Sequence, residues 1–103
     1  MEITATRREG IGAIVRTLGP VDTASLGSAT QAIVAEVDAV QFFDLPAEFH
    51  GEGQHPDPVV TTLSIVDGSR QHSVTWADYA HDSRIAHLAA IISAVEQTGT
   101  QWV

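Results

Sequence analysis

The sequence predicts an α+β domain: a four-stranded antiparallel sheet with two helices on one face, in the order ββαββα. Three observations predict it. Two pairs of short β-branched or alternating stretches are each joined by a glycine-containing turn signal. Each pair is followed by a longer stretch whose apolar residues recur at spacings of three and four. Packing both helical stripes on one strand face then gives a single core with short, uncrossed connections. With 103 residues and no linker or low-complexity stretch, residues 1–103 read as one domain.

Residues 2–8 alternate and contain Ile3, Thr4 and Thr6, which suits a strand. Glu9-Gly10-Ile11-Gly12 is a turn, because glycine supplies positive φ without a steric penalty. Residues 13–18 return as a second strand, and Gly19-Pro20 breaks it. Asp22, Thr23 and Ser25 each offer an oxygen that can cap a helix. The helix spans residues 26–41, with Leu26, Ala29, Ile33, Val37 and Val40 on one stripe. Phe42-Phe43-Asp44-Leu45-Pro46 ends it, since Pro46 disfavours helical backbone at Leu45, and the aromatic pair staples the helix end to the core.

Residues 47–57 contain Gly51, Gly53 and Pro56 and read as an irregular loop. Residues 59–66 are β-branched and form a third strand, Asp67-Gly68 is a hairpin turn, and residues 70–76 return with His72, Val74 and Trp76 on one face. After a polar loop at 77–82, Asp82 or Ser83 caps a last helix over residues 84–97. Its stripe is Ile85, Leu88, Ala89, Ile92 and Val95, and Gly99 stops it. If the chain reverses at each connection, the 9–12 turn, the 46–57 loop and the 77–82 loop meet at one end. Loops fixed by a rigid scaffold are common seats of function.

Composition excludes several classes. An apolar content of 44% is too high for a disordered acidic tail. The net charge is −8, and the basic residues are all arginines: Arg7, Arg8, Arg16, Arg70 and Arg84. That balance argues against nucleic acid and against an anionic membrane surface as partners. No apolar run of about 18 residues is available to span a bilayer. Residues 1–8 lack the basic start and apolar stretch of a secretory signal, so the expected location is cytoplasmic. There is no cysteine, which removes disulfides, thiolate metal sites and cysteine nucleophiles.

Five histidines draw attention. His50 and His55 share a loop with Glu48, Glu52 and Asp57, a mixture that can hold zinc. Their spacing matches no short metal motif, and a solvated loop is the simpler reading. His72 alternates with core residues and reads as a satisfied histidine at the core's edge, whereas His81 and His87 read as solvent-facing. No G-x-S-x-G is present, and the lone G-x-G at Gly10-Ile11-Gly12 lacks the third glycine and the β-α-β unit of a dinucleotide site. The expectation is therefore a non-enzyme with no catalytic residue, no metal and no cofactor. Ile11 is out of place: it stands between two glycines at an exposed tip. It either folds back onto neighbouring side chains or anchors in a partner's pocket.

Several pieces of the sequence, taken in order, resemble the emfourin family, small bacterial proteins that inhibit thermolysin-like zinc metallopeptidases such as protealysin. They are Met1-x-Ile3, the turn Arg8-Glu9-Gly10-Ile11-Gly12, Val21-Asp22-Thr23, Phe42-Phe43-Asp44-Leu45-Pro46, Pro56-Asp57 and Ile65-x-Asp67-Gly68-x-Arg70-x-His72-x-Val74. The turn departs from the family pattern, with Glu9 in the place of the first glycine and the following glycine moved to Gly12. The resemblance implies a cytoplasmic, cofactor-free inhibitor of a thermolysin-like zinc metallopeptidase. Because such enzymes favour a bulky apolar residue just after the scissile bond, the further expectation, which the resemblance itself does not supply, is that Ile11 enters that pocket while the neighbouring loop covers the cleft. The expected partner-binding residues are Glu9, Gly10, Ile11, Gly12, His50 and His55, in a monomer or weak homodimer. Two other classes compete: a protein-interaction module that pairs through a sheet face or edge, and a metal- or small-ligand-binding protein built on His50 and His55.

Overall fold

A computed structural model describes residues 1–9, 14–51 and 58–103. Its elements, in chain order, are β1 (Glu2–Glu9), β2 (Ile14–Asp22), α1 (Ala29–Val40), β3 (Glu48–Phe49), β4 (Val60–Asp67), β5 (Arg70–Ala77) and α2 (Ser83–Gln97). Single 3-10 turns at Thr23–Ser25 and Phe42–Asp44 bracket α1. The strands form one sheet in the order β2-β1-β4-β5-β3. The neighbouring pairs are antiparallel except β3, which runs parallel to β5.

The α+β class is as the sequence predicts, but the sheet is five-stranded and mixed rather than four-stranded and antiparallel. The extra strand, β3, lies inside the stretch read as irregular loop. Two residues carry no periodicity, so pairing rather than pattern creates it: the Thr75 amide donates to the Ala47 carbonyl at 2.8 Å, and Phe49 packs into the core at 8% exposure.

Gly19-Pro20 does not end β2 either. Ile3 faces Val21 and Ala5 faces Leu18, so β2 carries one extra residue there, a bulge. Gly19 sits at φ 89°, and β2 is an edge strand, where the missing amide of Pro20 is tolerated. The strand therefore continues to Asp22, whose carboxylate accepts from the Ala24 amide at 3.0 Å and caps the first 3-10 turn.

That turn delays α1 to Ala29, three residues later than predicted, although Leu26 still packs against the core. α2 starts at Ser83 with Asp82 as its cap, the Asp82 carboxylate accepting from the Arg84 amide at 2.9 Å. Gly99, at φ 95°, follows its end. At the β4–β5 turn, Gly68 takes φ 62°, the first central position at which a type II′ turn needs glycine.

Ile33, Val37 and Val40 of α1 and Leu88, Ile91, Ile92 and Val95 of α2 are buried with Ile3, Ala5, Leu18, Leu63, Ile65, Val74 and Trp76 of the sheet. Each fully buried aliphatic of this kind contributes about 1.5–3 kcal/mol. The α2 stripe differs from the predicted one: Ile91 is fully buried and Ala89 is exposed. The helix packs on α1 as well as on the sheet, so its buried arc is turned toward α1. On the opposite face the sheet presents hydroxyls. Thr17, Thr6, Thr62 and Thr75 face one another in one row across four strands. Thr62 and Thr75 share a hydrogen bond at 2.8 Å, and Ser64 and Ser73 one at 2.7 Å.

Candidate functional site

The strand ends decide where the loops emerge. Arg8 of β1 faces Val15 of β2 on one side and Val60 of β4 on the other. Val60 faces Ala77 of β5, and Phe49 of β3 faces Trp76 beside it. The segments that follow Glu9, Gly51 and Ala77 thus leave from one end of the sheet. Of the predicted binding residues, Glu9 and His50 are described, while Gly10, Ile11, Gly12 and His55 lie outside the described residues.

Glu9 is half-buried at the last position of β1, facing Ile14. His50 directly follows β3, and its side chain is 81% exposed. Its Nε2 lies 3.4 Å from the Glu48 carboxylate, an exposed contact that becomes an ion pair only when the imidazole is protonated. Two groups make no metal cage, and among the described residues no cluster of three or more His, Asp or Glu side chains is placed to hold an ion.

Behind His50 lies a shallow hollow of about 260 Å³, bounded by Phe49, Gly51, Trp76 and Tyr79. Gly51 permits it: a Cβ there would stand 2.2 Å from Cδ2 of Tyr79, so a larger residue must displace the ring. The wall is tied to α2. The Arg84 guanidinium lies 4.7 Å over the Phe49 ring and donates to Asp82 from Nε at 2.9 Å and Nη2 at 2.8 Å. These side-chain bonds, followed by the Arg84 backbone amide, hold the Asp82 carboxyl down to about 2.

A larger hollow of about 770 Å³ lies away from this end, between the start of α1 and the end of α2. Leu26, Gly27, Ala29, Ala32, Ala94 and Gln97 are among its lining residues. Its size comes from short side chains, and none of its lining groups titrates. Chemistry therefore favours the smaller, loop-bearing end.

The remaining histidines divide. His72 is satisfied at the core's edge as predicted: Nε2 donates to the Leu45 carbonyl at 2.7 Å, and the ring meets Phe42 edge-on at 5.6 Å. His81 is exposed, also as predicted. His87 is not simply solvent-facing, because its Nδ1 donates to Glu36 Oε2 at 2.5 Å and links α2 to α1. A feature missed in the sequence is the gathering of arginines. Arg7 faces Arg16 across β1 and β2, with Arg8 next to them.

No protein-family model, curated protein or solved structure gives a significant match to this chain.

Proposed function

We propose that the chain is a proteinaceous inhibitor that binds a thermolysin-like zinc metallopeptidase in the cytoplasm and occludes its active-site cleft, without catalytic residues or cofactor of its own. The observation that carries this reading is the shared exit of the segments after Glu9 and after Gly51 from one end of the sheet. β1 and β3 are three strand steps apart in the sheet order, about 14 Å. A standard interface buries about 800 Å² on each partner, so both strand ends fit beneath one.

A second observation bears on which residues are free to recognise a partner. Residues 42–46 and 67–74, the two more specific pieces of the resemblance that motivates the reading, fold onto each other. Arg70 lies 4.3 Å over the Phe43 ring and pairs with Asp67 at 2.7 Å, and His72 holds the Leu45 carbonyl and the Phe42 ring. Those residues act as a structural unit, which leaves recognition to the loop end. In this reading Ile11 is the apolar anchor, and His50 and His55 are further contacts to the peptidase. The inhibitor works by filling the cleft and excluding substrate, so its strength comes from complementarity and preorganisation.

The reading is tested by complex formation on size exclusion with a thermolysin-like peptidase, alone and pre-loaded with a small active-site inhibitor. The expected result is a one-to-one complex that pre-loading abolishes. A complex that survives pre-loading would make the chain an interaction module docked elsewhere on the enzyme. No complex with several such enzymes would end the inhibitor proposal.

A further inference from the structure

β2 is an edge strand, and part of the chain's own C-terminal segment already lies along it. The Thr17 amide donates to the Val103 carbonyl at 2.9 Å, the Val103 amide donates back to the Thr17 carbonyl at 2.9 Å, and Trp102 bridges antiparallel to Leu18. This edge therefore accepts an added strand, and the direction is set. Antiparallel ladders alternate, so Val15, two residues before Thr17, turns its own N–H and C=O to the same side. No described residue meets them.

The side chains of this open stretch are unusual. Ile14 and Val15 are each 58% exposed, on opposite faces of the strand. Open edges with exposed apolar residues invite another strand unless they are covered or charged. Here the charge is positive. Arg16 is exposed, Arg7 faces it directly, and Arg8 faces Val15. Arg7 is spread on the Trp102 indole at 4.4 Å. Arg70 and Arg84 have carboxylates at 2.7 and 2.8 Å, but Arg7, Arg8 and Arg16 have none within ion-pairing distance among the described residues. Glu9, facing Ile14, is the carboxylate closest in register. Like charges on facing positions oppose pairing, yet in a chain of net charge −8 no carboxylate among the described residues compensates this pair.

We propose that the Ile14–Arg16 edge of β2 is a docking surface for an extended acidic segment of a partner protein. The segment adds a strand antiparallel to β2, with a carboxylate facing Arg16 and an apolar side chain facing Val15. Main-chain bonds to Val15 supply affinity, and the alternating side chains supply selectivity. A second copy's β2 fits less well, because it brings arginines against arginines. This inference stands independently of the inhibitor reading, since it uses the strand edge and not the loops.

The test is an NMR titration of the full chain, labelled with nitrogen-15, against a blocked hexapeptide of alternating glutamate and valine. A hexapeptide of alternating lysine and valine is the control. The acidic peptide is expected to give saturable shifts centred on Ile14, Val15 and Arg16, and the basic peptide none. Arg16→Glu weakens binding about fivefold or more. Val15→Pro, which removes the outward amide at a position where an edge strand tolerates proline, abolishes it. Equal binding of the basic peptide, shifts centred elsewhere, or no binding of the acidic peptide would overturn the proposal. So would concentration-dependent self-association that Val15→Pro abolishes, which would assign the edge to a second copy.

Discussion

Replacing Gly19 with alanine tests the bulge that sets the β1–β2 register and so aims the hairpin end. Gly19 sits at φ 89°, where an L side chain costs about 1–2 kcal/mol. An added Cβ would also lie 2.7 Å from the Ile3 carbonyl oxygen and 3.0 Å from the Val21 amide nitrogen. Both are backbone atoms, so relief requires β1 and β2 to move apart where Ile3 is fully buried. Overpacking of this kind adds about 1–3 kcal/mol, for a total of about 2–5 kcal/mol. Gly27 is the internal control: it has φ 62° but nothing within 4 Å of an added Cβ, so Gly27→Ala carries only the conformational cost of about 1–2 kcal/mol. Urea unfolding followed by circular dichroism separates the two, since a slope of about 1–3 kcal/mol/M converts the difference into a clear midpoint shift. A Gly19→Ala midpoint no lower than that of Gly27→Ala would refute the close approach of Ile3.

Other outcomes follow from the same contacts. His72→Ala leaves the buried Leu45 carbonyl without its donor and removes the edge contact with Phe42, which costs about 2–4 kcal/mol in urea unfolding. Phe42→Ala empties a fully buried aromatic site and costs about 3–5 kcal/mol by the same measurement. Asp82 has its folded pKa depressed from 3.8 to about 2, so its carboxylate stabilises the fold above the unfolded value and that contribution is lost as pH falls through about 2. Wild type should therefore melt higher than Asp82→Asn at neutral pH, with the gap in Tm closing across that acidic window. Thermal melts of both proteins over the pH range check the sign.

The elements legible in the sequence are those whose signal is local. Val60–Ile65 alternates around a β-branched run and Asp67-Gly68 supplies the turn, so the β4–β5 hairpin and its core face were readable. The Ile33, Val37 and Val40 stripe was readable for the same reason. What escaped depends on partners. β3 exists because Ala47 and Phe49 meet β5, and two residues cannot announce that. Gly19-Pro20 reads as a break unless the strand is known to be at an edge. His87 lies off the apolar stripe but points at Glu36 of the other helix, a flank that one helix's periodicity does not reveal. At the candidate site, Glu9 and His50 stand at the expected end. The hollow before Tyr79 and the facing pair Arg7–Arg16 became visible only with register and packing in hand.

Inhibition is measured by titrating the purified chain against a thermolysin-like peptidase, ideally one from the same cell, and following residual cleavage of a peptide substrate after long incubation. Loss of activity is expected to reach completion near one equivalent, and Ile11→Asp is expected to weaken it markedly. Full peptidase activity in the presence of excess folded chain, across several such enzymes, would contradict it.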